Sequence, residues 1–510
     1  MGPAGGYVTD IGYTAAFYPE TAPAHMAFAA LCAGRSPGRA LHPARVLELG
    51  FGQGFGLALL AAANPDVAFE GCDLNPEHVA HARGLIAEAA LSNLAVSQTS
   101  FEEAAGRGGD NDADVIVLHG VLSWIGRAGQ DAAVTILRQR LRPKGVAYVS
   151  YNCMPGWAPL APIRRLMLEV KRRNPSGSEG ELALALDLLT KLWQSNAGYF
   201  VINPTAARHF GAMLGMDRRY LAHEYLAEHA DPPQFSDVAE LLARADLAYA
   251  ASAAPLDNFD QYAVLDAIRP LIPQIDDPVL RETVRDFAAN RGFRRDLFAR
   301  EADALSRDEH RRLLSELRFA LAVPRARMAF RFLGPVGDLT LKPEFHGAVA
   351  DLLARQDAGF DELLALSPFG ADGAGLLLDC LALLVHSGQA LVLVGGRDVD
   401  VRPAQRFNRM IVDRARAGRP YGHLASPIAR TGIPVDEVGL LALDALFDGQ
   451  AAEPAGLARH VQSIFVALGR KPLRDNKPVS DNADAILFLT DRMKQVLEDQ
   501  MPLWRRLGVL

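Results

Sequence analysis

Cysteine is scarce in this chain: four residues in 510, at Cys32, Cys72, Cys153 and Cys380, with no C-x-x-C spacing. That leaves neither a disulfide framework nor a zinc-ligand pattern, and reads as small buried thiols in a reducing compartment. A basic segment followed by an apolar run is missing near the N-terminus, so no secretory signal is expected. Gly6 stands where N-myristoylation of Gly2 would need Ser or Thr. Long hydrophobic runs are lacking too, since the most apolar stretch, Gly375 to Val394, is broken by Asp379 and His386. Positive charge is not in excess, with 53 Lys and Arg against 60 Asp and Glu, so no general attraction to nucleic acid or anionic lipid is expected. These absences favour a cytoplasmic globular protein with no membrane span and no nucleic-acid partner.

What is present is ample core-forming material, 49% hydrophobic residues, in a length that calls for several domains. Over residues 46–151 short β-branched runs alternate with helix-like segments, the pattern of a parallel sheet covered by helices. The expected strands are Arg45–Leu49, Ala68–Cys72, Leu94–Gln98, Asp114–Leu118 and Val146–Ser150. The continuous apolar run of the fourth suits a strand buried on both faces. A helical insertion follows, about 158–222, and Ala248–Ala253 is a candidate late strand. The expected domains are a leader or lid (1–40), an α/β Rossmann-like domain (41–258), a helical middle domain (259–334) and a C-terminal domain (335–510). In the last, two helices precede the strand Ala390–Val394 and a glycine turn, which suggests a winged-helix-like module. Between Pro343 and Asp400 it has two basic residues against nine acidic ones, too few to neutralise DNA phosphates.

The segment Val46-Leu47-Glu48-Leu49-Gly50-Phe51-Gly52-Gln53-Gly54 carries a strand into E-x-G-x-G-x-G. Such glycines let the backbone turn tightly and lie against a ligand, and the helix that follows offers free N–H groups. A dinucleotide site needs G-x-G-x-x-G; its third glycine would fall on Phe55 or Leu57, so the spacing is wrong for NAD. The acid at Glu48 suits a cofactor bearing a cationic amino acid, and Asp73 at the end of strand two can take both ribose hydroxyls. Together they point to S-adenosylmethionine, with no metal. After strand three, Ser100-Phe101 falls where adenine would lie; Phe101 either packs on the base or belongs to the core.

Further motifs carry a family resemblance. His119-Gly120-Val121-Leu122-Ser123-Trp124 follows strand four, and Ser150-Tyr151-Asn152-Cys153-Met154-Pro155-Gly156-Trp157 follows strand five. Together with Tyr13-x-x-x-Phe17, His223-Glu224-Tyr225-Leu226 and the run from Arg281 to Asp296, they resemble bacterial class I methyltransferases with a methyltransferase regulatory domain. That group includes rickettsial protein-lysine methyltransferases. Ala22, Leu122 and Glu301 depart from the residues many relatives carry there. The resemblance implies cofactor contacts from Tyr13, Glu48, Gly50, Gly52, Gly54, Asp73, Leu74, Ser100, Phe101, His119 and Gly120.

For the reaction, the protein must hold nucleophile and methyl in line, beyond the carboxyl ends of the strands. The expected catalytic set is Tyr151 and Asn152 orienting the acceptor, His119 on the cofactor side, and Trp124 walling the pocket. Trp124 and Trp157 are equally readable as packing residues, and His119 as a structural histidine. His223-Glu224-Tyr225 either lines the same cleft or is a strand with alternating faces. Arg291, Arg294, Arg295 and Arg300 read as a solvated face of a helix. The acceptor is a protein lysine or a small molecule or saccharide, N- or O-directed; a non-catalytic cofactor-binding scaffold is the third alternative.

Overall fold

In the computed structural model, described for residues 10–229, 231–370, 372–396, 398–449, 451–474 and 477–510, the predicted alternation of strands and helices is present. The start of the expected leader and the Gly2 signal lie outside these residues. Helix α1 (Pro23–Cys32) precedes β1 (Arg45–Leu49), α2 (Phe55–Ala63), β2 (Ala68–Asp73), α3 (Pro76–Glu88) and β3 (Leu94–Gln98). Then come α4 (Phe101–Gly106), β4 (Ala113–Leu118), α5 (Arg127–Arg140) and β5 (Leu141–Asn152). Local chemistry sets these boundaries: Pro76 opens α3 behind Asn75, whose side chain accepts from the Glu77 N–H at 2.9 Å. Ser100 caps α4 reciprocally with Glu103.

The insertion is the five helices α6 (Ala161–Arg173), α7 (Ser178–Gln194), α8 (Gly198–Ile202), α9 (Pro204–Met213) and α10 (Arg218–Leu226). They close a core of their own, in which Trp157 stacks on Tyr225 at 5.8 Å. The chain then rejoins the catalytic fold through α11 (Phe235–Ala243), β6 (Ala248–Ser252), the short α12 (Asp260–Ala263), α13 (Pro278–Ala289) and β7 (Phe293–Ala299). The seven strands are ordered β3-β2-β1-β4-β5-β7-β6. β1 to β5 run parallel, and β7 lies antiparallel between β5 and β6.

Two expected boundaries therefore move. Residue 258 does not end the catalytic domain, because β7, assigned above to a helical middle domain, pairs over its whole length with β5, from Val146↔Ala299 to Asn152↔Phe293. Nor does the C-terminal domain begin at 335. After α14 (Arg307–Ser315), β8 (Arg318–Leu321) pairs antiparallel with strands from beyond that point. A hairpin, β9 (Arg331–Gly334) and β10 (Gly337–Thr340), is followed by α15 (Ala348–Arg355), β11 (Ala358–Gly359), α16 (Phe360–Leu364), α17 (Ala374–His386) and β12 (Ala390–Leu393). The order β11-β8-β12 gives the C-terminal region a three-stranded sheet with one strand taken from upstream of that boundary. Its most apolar helix, α17, is packed inward, so the apolar stretch is core; among the described residues no helix is long and apolar enough to cross a membrane.

The sheet is covered on both faces, and β5 shows how its residues divide. Ala147, Val149 and Tyr151 join Leu47, Leu49, Ile116 and Leu118 on the side of α5 and α11. Val146 and Tyr148 face the other way, into a core that runs on through α1 and α2 to the C-terminus. There α18 (Arg402–Arg416) and the hairpin β13 (His423–Ser426) with β14 (Thr431–Pro434) pack on α2. Helix α2 is consequently buried all round: eight of its side chains, Phe55 and Leu57 to Leu60 among them, lie in this core.

Candidate active site

The glycine loop bends as its composition requires. Gly50 has φ +76°, and a Cβ there would stand 2.7 Å from Val121 Cγ2; Gly52 has φ +59° and open space where its Cβ would be. Asp73 Oδ2 accepts the Gly52 N–H at 2.9 Å, and Oδ1 accepts the Asn75 N–H at 2.8 Å. The His78 ring lies 3.3 Å from Oδ1 through Nδ1, while its Nε2 takes the Tyr13 backbone N–H at 3.4 Å. The leader is thus strapped across the end of β2. Its Ile11 carbonyl bonds His223 at 2.8 Å, and Asp10 caps α7 through Ser178.

Glu48 lies half-buried on β1 with no hydrogen-bonding group against its carboxyl among the described residues. Burial, helped by the charge of Asp73, pushes its pKa up to about 8. A carboxyl so placed is short of a cation. Leu74 is exposed beside Asp73, Phe101 lies next to Gly50, and Gly120 (φ +66°) faces open space. The donors, the acid, the apolar flank and the missing Cβ atoms fit a nucleoside carrying an ammonium group. Ser100 differs from the expectation: its hydroxyl is committed to capping α4.

On the other side of the same edge, His119 Nδ1 lies 3.0 Å from Tyr148 Oη and 3.2 Å from Ser150 Oγ, and its ring stacks on Tyr18 at 3.8 Å. Burial lowers its pKa to about 4, so it is neutral at pH 7 and a weak base. Asn152, at the end of β5, donates Nδ2–H to Glu224 Oε1. Burial raises the Glu224 pKa to about 7, against the pull of Asn152 and Arg164. Tyr18 and Tyr220 stand in the field of this carboxyl, their own pKa values raised first by burial and then by neighbouring acids, Glu224 among them. Arg295 pairs with Glu20 at 3.1 Å on the leader side.

Tyr151 is not in this cleft. It is 0% exposed, on the opposite face of β5 from Tyr148, and its hydroxyl donates to Asp296 Oδ2 at 2.6 Å. Trp124 packs against Ala227, and Trp157 belongs to the insertion core. The arginine cluster is neither helical nor solvated: Arg294, 3% exposed on β7, bonds Asp296, Asp286 and Glu282 at 2.7, 2.6 and 3.0 Å. His223-Glu224-Tyr225 is on helix α10, which brings Glu224 to Asn152. Tyr151→Phe should therefore leave turnover within about twofold of the parent, because only a buried hydrogen bond to a carboxylate, worth about 1.5–3 kcal/mol of stability, is lost. A chemical melt should show that destabilisation, and a large fall in kcat would return Tyr151 to the reaction.

The fold and site define a class I methyltransferase that uses S-adenosylmethionine. The methyltransferase-domain family matches residues 47–147, and the family described as a predicted methyltransferase regulatory domain matches residues 217–300. The uncharacterized protein sll1526 of Synechocystis sp. is 31% identical over 510 residues, 99% of each chain. The structure of PKMT2 from Rickettsia typhi has TM-score 0.68 at 18% identity, over 95% of this chain and 98% of that one. The same protein in complex with AdoHcy has TM-score 0.68 at 20% identity, over 98% and 99%. The chain belongs to the family of bacterial S-adenosylmethionine-dependent methyltransferases that carry a methyltransferase regulatory domain. The regulatory-domain match contains α10, β6 and β7, so that region completes the catalytic sheet and supplies Glu224.

Proposed function

We propose that the protein methylates lysine side chains of other proteins, with Glu224 holding and deprotonating the acceptor amine. The observation that carries this reading is the Glu224 carboxyl, buried among Asn152, Tyr18 and Tyr220 with a pKa of about 7. A half-ionised, desolvated carboxyl in aromatic company favours a cationic amine over a neutral hydroxyl. His119, with its pKa near 4, is a poor base for a hydroxyl acceptor. The likeness to rickettsial protein-lysine methyltransferases supports the same choice of acceptor. The four buried thiols suit a reducing compartment, and we place the reaction in the cytoplasm.

Bound S-adenosylmethionine supplies a methyl group activated on a sulfonium. With the cofactor bound, Glu48 would take the ammonium of its amino acid, Asp73 and the Gly50–Gly54 loop would hold its ribose, and Leu74 and Phe101 would flank the base. Asn152 fixes the Glu224 carboxyl through Oε1, leaving Oε2 to take the proton that the lysine ammonium must lose. Lysine has an ordinary pKa of ~10.4, which a dry aromatic pocket lowers. Tyr18, stacked on His119, shields that side of the pocket from water.

The test uses methyl-labelled cofactor, the purified protein and a bacterial protein extract, before and after acetylation of the extract's lysines. Label should enter untreated protein and be lost after acetylation. Label confined to small molecules, or retained on acetylated protein, would reject lysine as the acceptor.

A further inference from the structure

We infer that the C-terminal module sets cofactor affinity, through a hydrogen-bond relay from Arg414 and Tyr421 to His81 that ends on the glycine loop. Tyr421 lies between α18 and β13, far along the chain from the loop it serves. Its hydroxyl is 2.9 Å from His81 Nε2 on α3, and His81 Nδ1 is 2.7 Å from the carbonyl oxygen of Gln53. On the other side, Arg414 Nη1 donates to the Tyr421 hydroxyl at 3.1 Å, and Arg414 is held by both carboxylate oxygens of Glu88 at 3.0 and 2.7 Å.

The direction of every bond is fixed. A guanidinium can only donate and a carbonyl can only accept, so the Tyr421 oxygen accepts from Arg414, His81 donates from Nδ1 to Gln53, and Nε2 of the neutral ring accepts the Tyr421 proton. The ring proton of His81 must then sit on Nδ1, where the Gln53 carbonyl needs a donor. Arg414 Nη1 also lies 3.5 Å from Nε2, which fits that nitrogen as the acceptor. Burial lowers the His81 pKa and keeps the ring neutral, as this arrangement requires. The same tyrosine acts on the loop from its far side, because its ring stacks on Phe55 at 4.5 Å. Gln53 and Phe55 flank Gly54, whose φ of +71° makes the bend into α2. Tyr421 therefore bears on both neighbours of the residue on which the loop turns, on Phe55 directly and on Gln53 through His81. The Gln53 side chain meanwhile lies beside the leader at Gly12, where a Cβ would stand 3.1 Å from its Nε2, so the loop sits between leader and C-terminal module. Tyr421 and His81 are positioning residues, acting through the loop rather than on the cofactor directly.

Tyr421→Phe keeps the stack on Phe55 and removes the relay's central hydroxyl. Calorimetric titration of the full-length protein with S-adenosylmethionine should give a Kd raised ~5- to 10-fold, the scale of one buried hydrogen bond between neutral groups. In a His81→Ala background the same substitution should add no further loss, because the link is already cut. Arg430→Gln breaks the module's ion pair with Asp66, at 2.7 and 2.9 Å on the back of α2, and should leave Kd unchanged. A Kd within twofold for Tyr421→Phe, an equal effect in the His81→Ala background, or an equal loss in Arg430→Gln would each overturn the relay.

Discussion

Glu224→Gln should lower kcat by about a hundredfold or more, the usual scale for removing a general base, and leave cofactor Kd within about twofold. The amide is isosteric and can still bond Asn152, so what disappears is the ability to hold a positive charge and take a proton. In the parent, kcat/KM should climb as Glu224 ionises around pH 7, and the variant should lose that limb. Stability supplies an independent reading with the opposite sign. The folded-state pKa is raised from 4.5 to about 7, so ionisation destabilises the fold as pH rises through that range. Gln escapes this penalty, and at pH 8 the variant should unfold at higher urea than the parent, by of order 1–3 kcal/mol. A purely structural Glu224 would make turnover and stability fall together, and unchanged turnover would remove it from the mechanism.

Arg294→Ala should cost about 3–5 kcal/mol, the scale of breaking a buried ion cluster from one side. The guanidinium bonds Asp296, Asp286 and Glu282 and lies over the Phe235 ring at 4.2 Å, so its loss takes the cation from Asp296 and leaves Asp286 to Arg291 and Glu282 to Arg285 alone. Asp286 is already pushed up to about 6 by burial with Arg294 and Arg291 opposing. Without Arg294 these acids survive best protonated, so the deficit should grow between pH 6 and pH 9. Urea unfolding at both pH values measures it, and Asp286→Asn with Asp296→Asn in the same chain should recover part of the loss. A variant within about 1 kcal/mol of the parent at pH 9 would show that the cluster does not hold β7 in place.

The glycine bend and its bond to Asp73 were legible because their signals are local. Glu48, the three glycines and Asp73 sit at fixed offsets from strands that announce themselves by composition, and Asn75-Pro76 marks the next helix. The cleft at the end of β5 was less so. Ser150, Tyr151 and Asn152 are consecutive, and only the alternation of β5 decides which of them face the cleft; a strand buried on both faces offers no polar–apolar pattern to reveal it. Tyr151 was the wrong choice for that reason. Arg294 and Arg295 are adjacent yet point oppositely, one into the ion cluster and the other to Glu20. The acids that neutralise Arg294 include Glu282 and Asp286 on another element, so the segment's charge density concealed a central strand. Glu224 was visible only as part of a motif; its meeting with Asn152, 72 residues away, belongs to the tertiary fold.

The placement of β7 also governs when the enzyme can finish folding during synthesis. Strand β5 ends at Asn152, and its antiparallel neighbour begins at Phe293. At ~5–20 residues per second, roughly 7–30 s pass between the emergence of the two. For that interval the nascent sheet presents an unpaired edge. The insertion, which closes its own core from residues in between, leaves the ribosome during the wait and can fold first. Slow stretches of translation would be best tolerated after Ala299, once the missing strand has arrived.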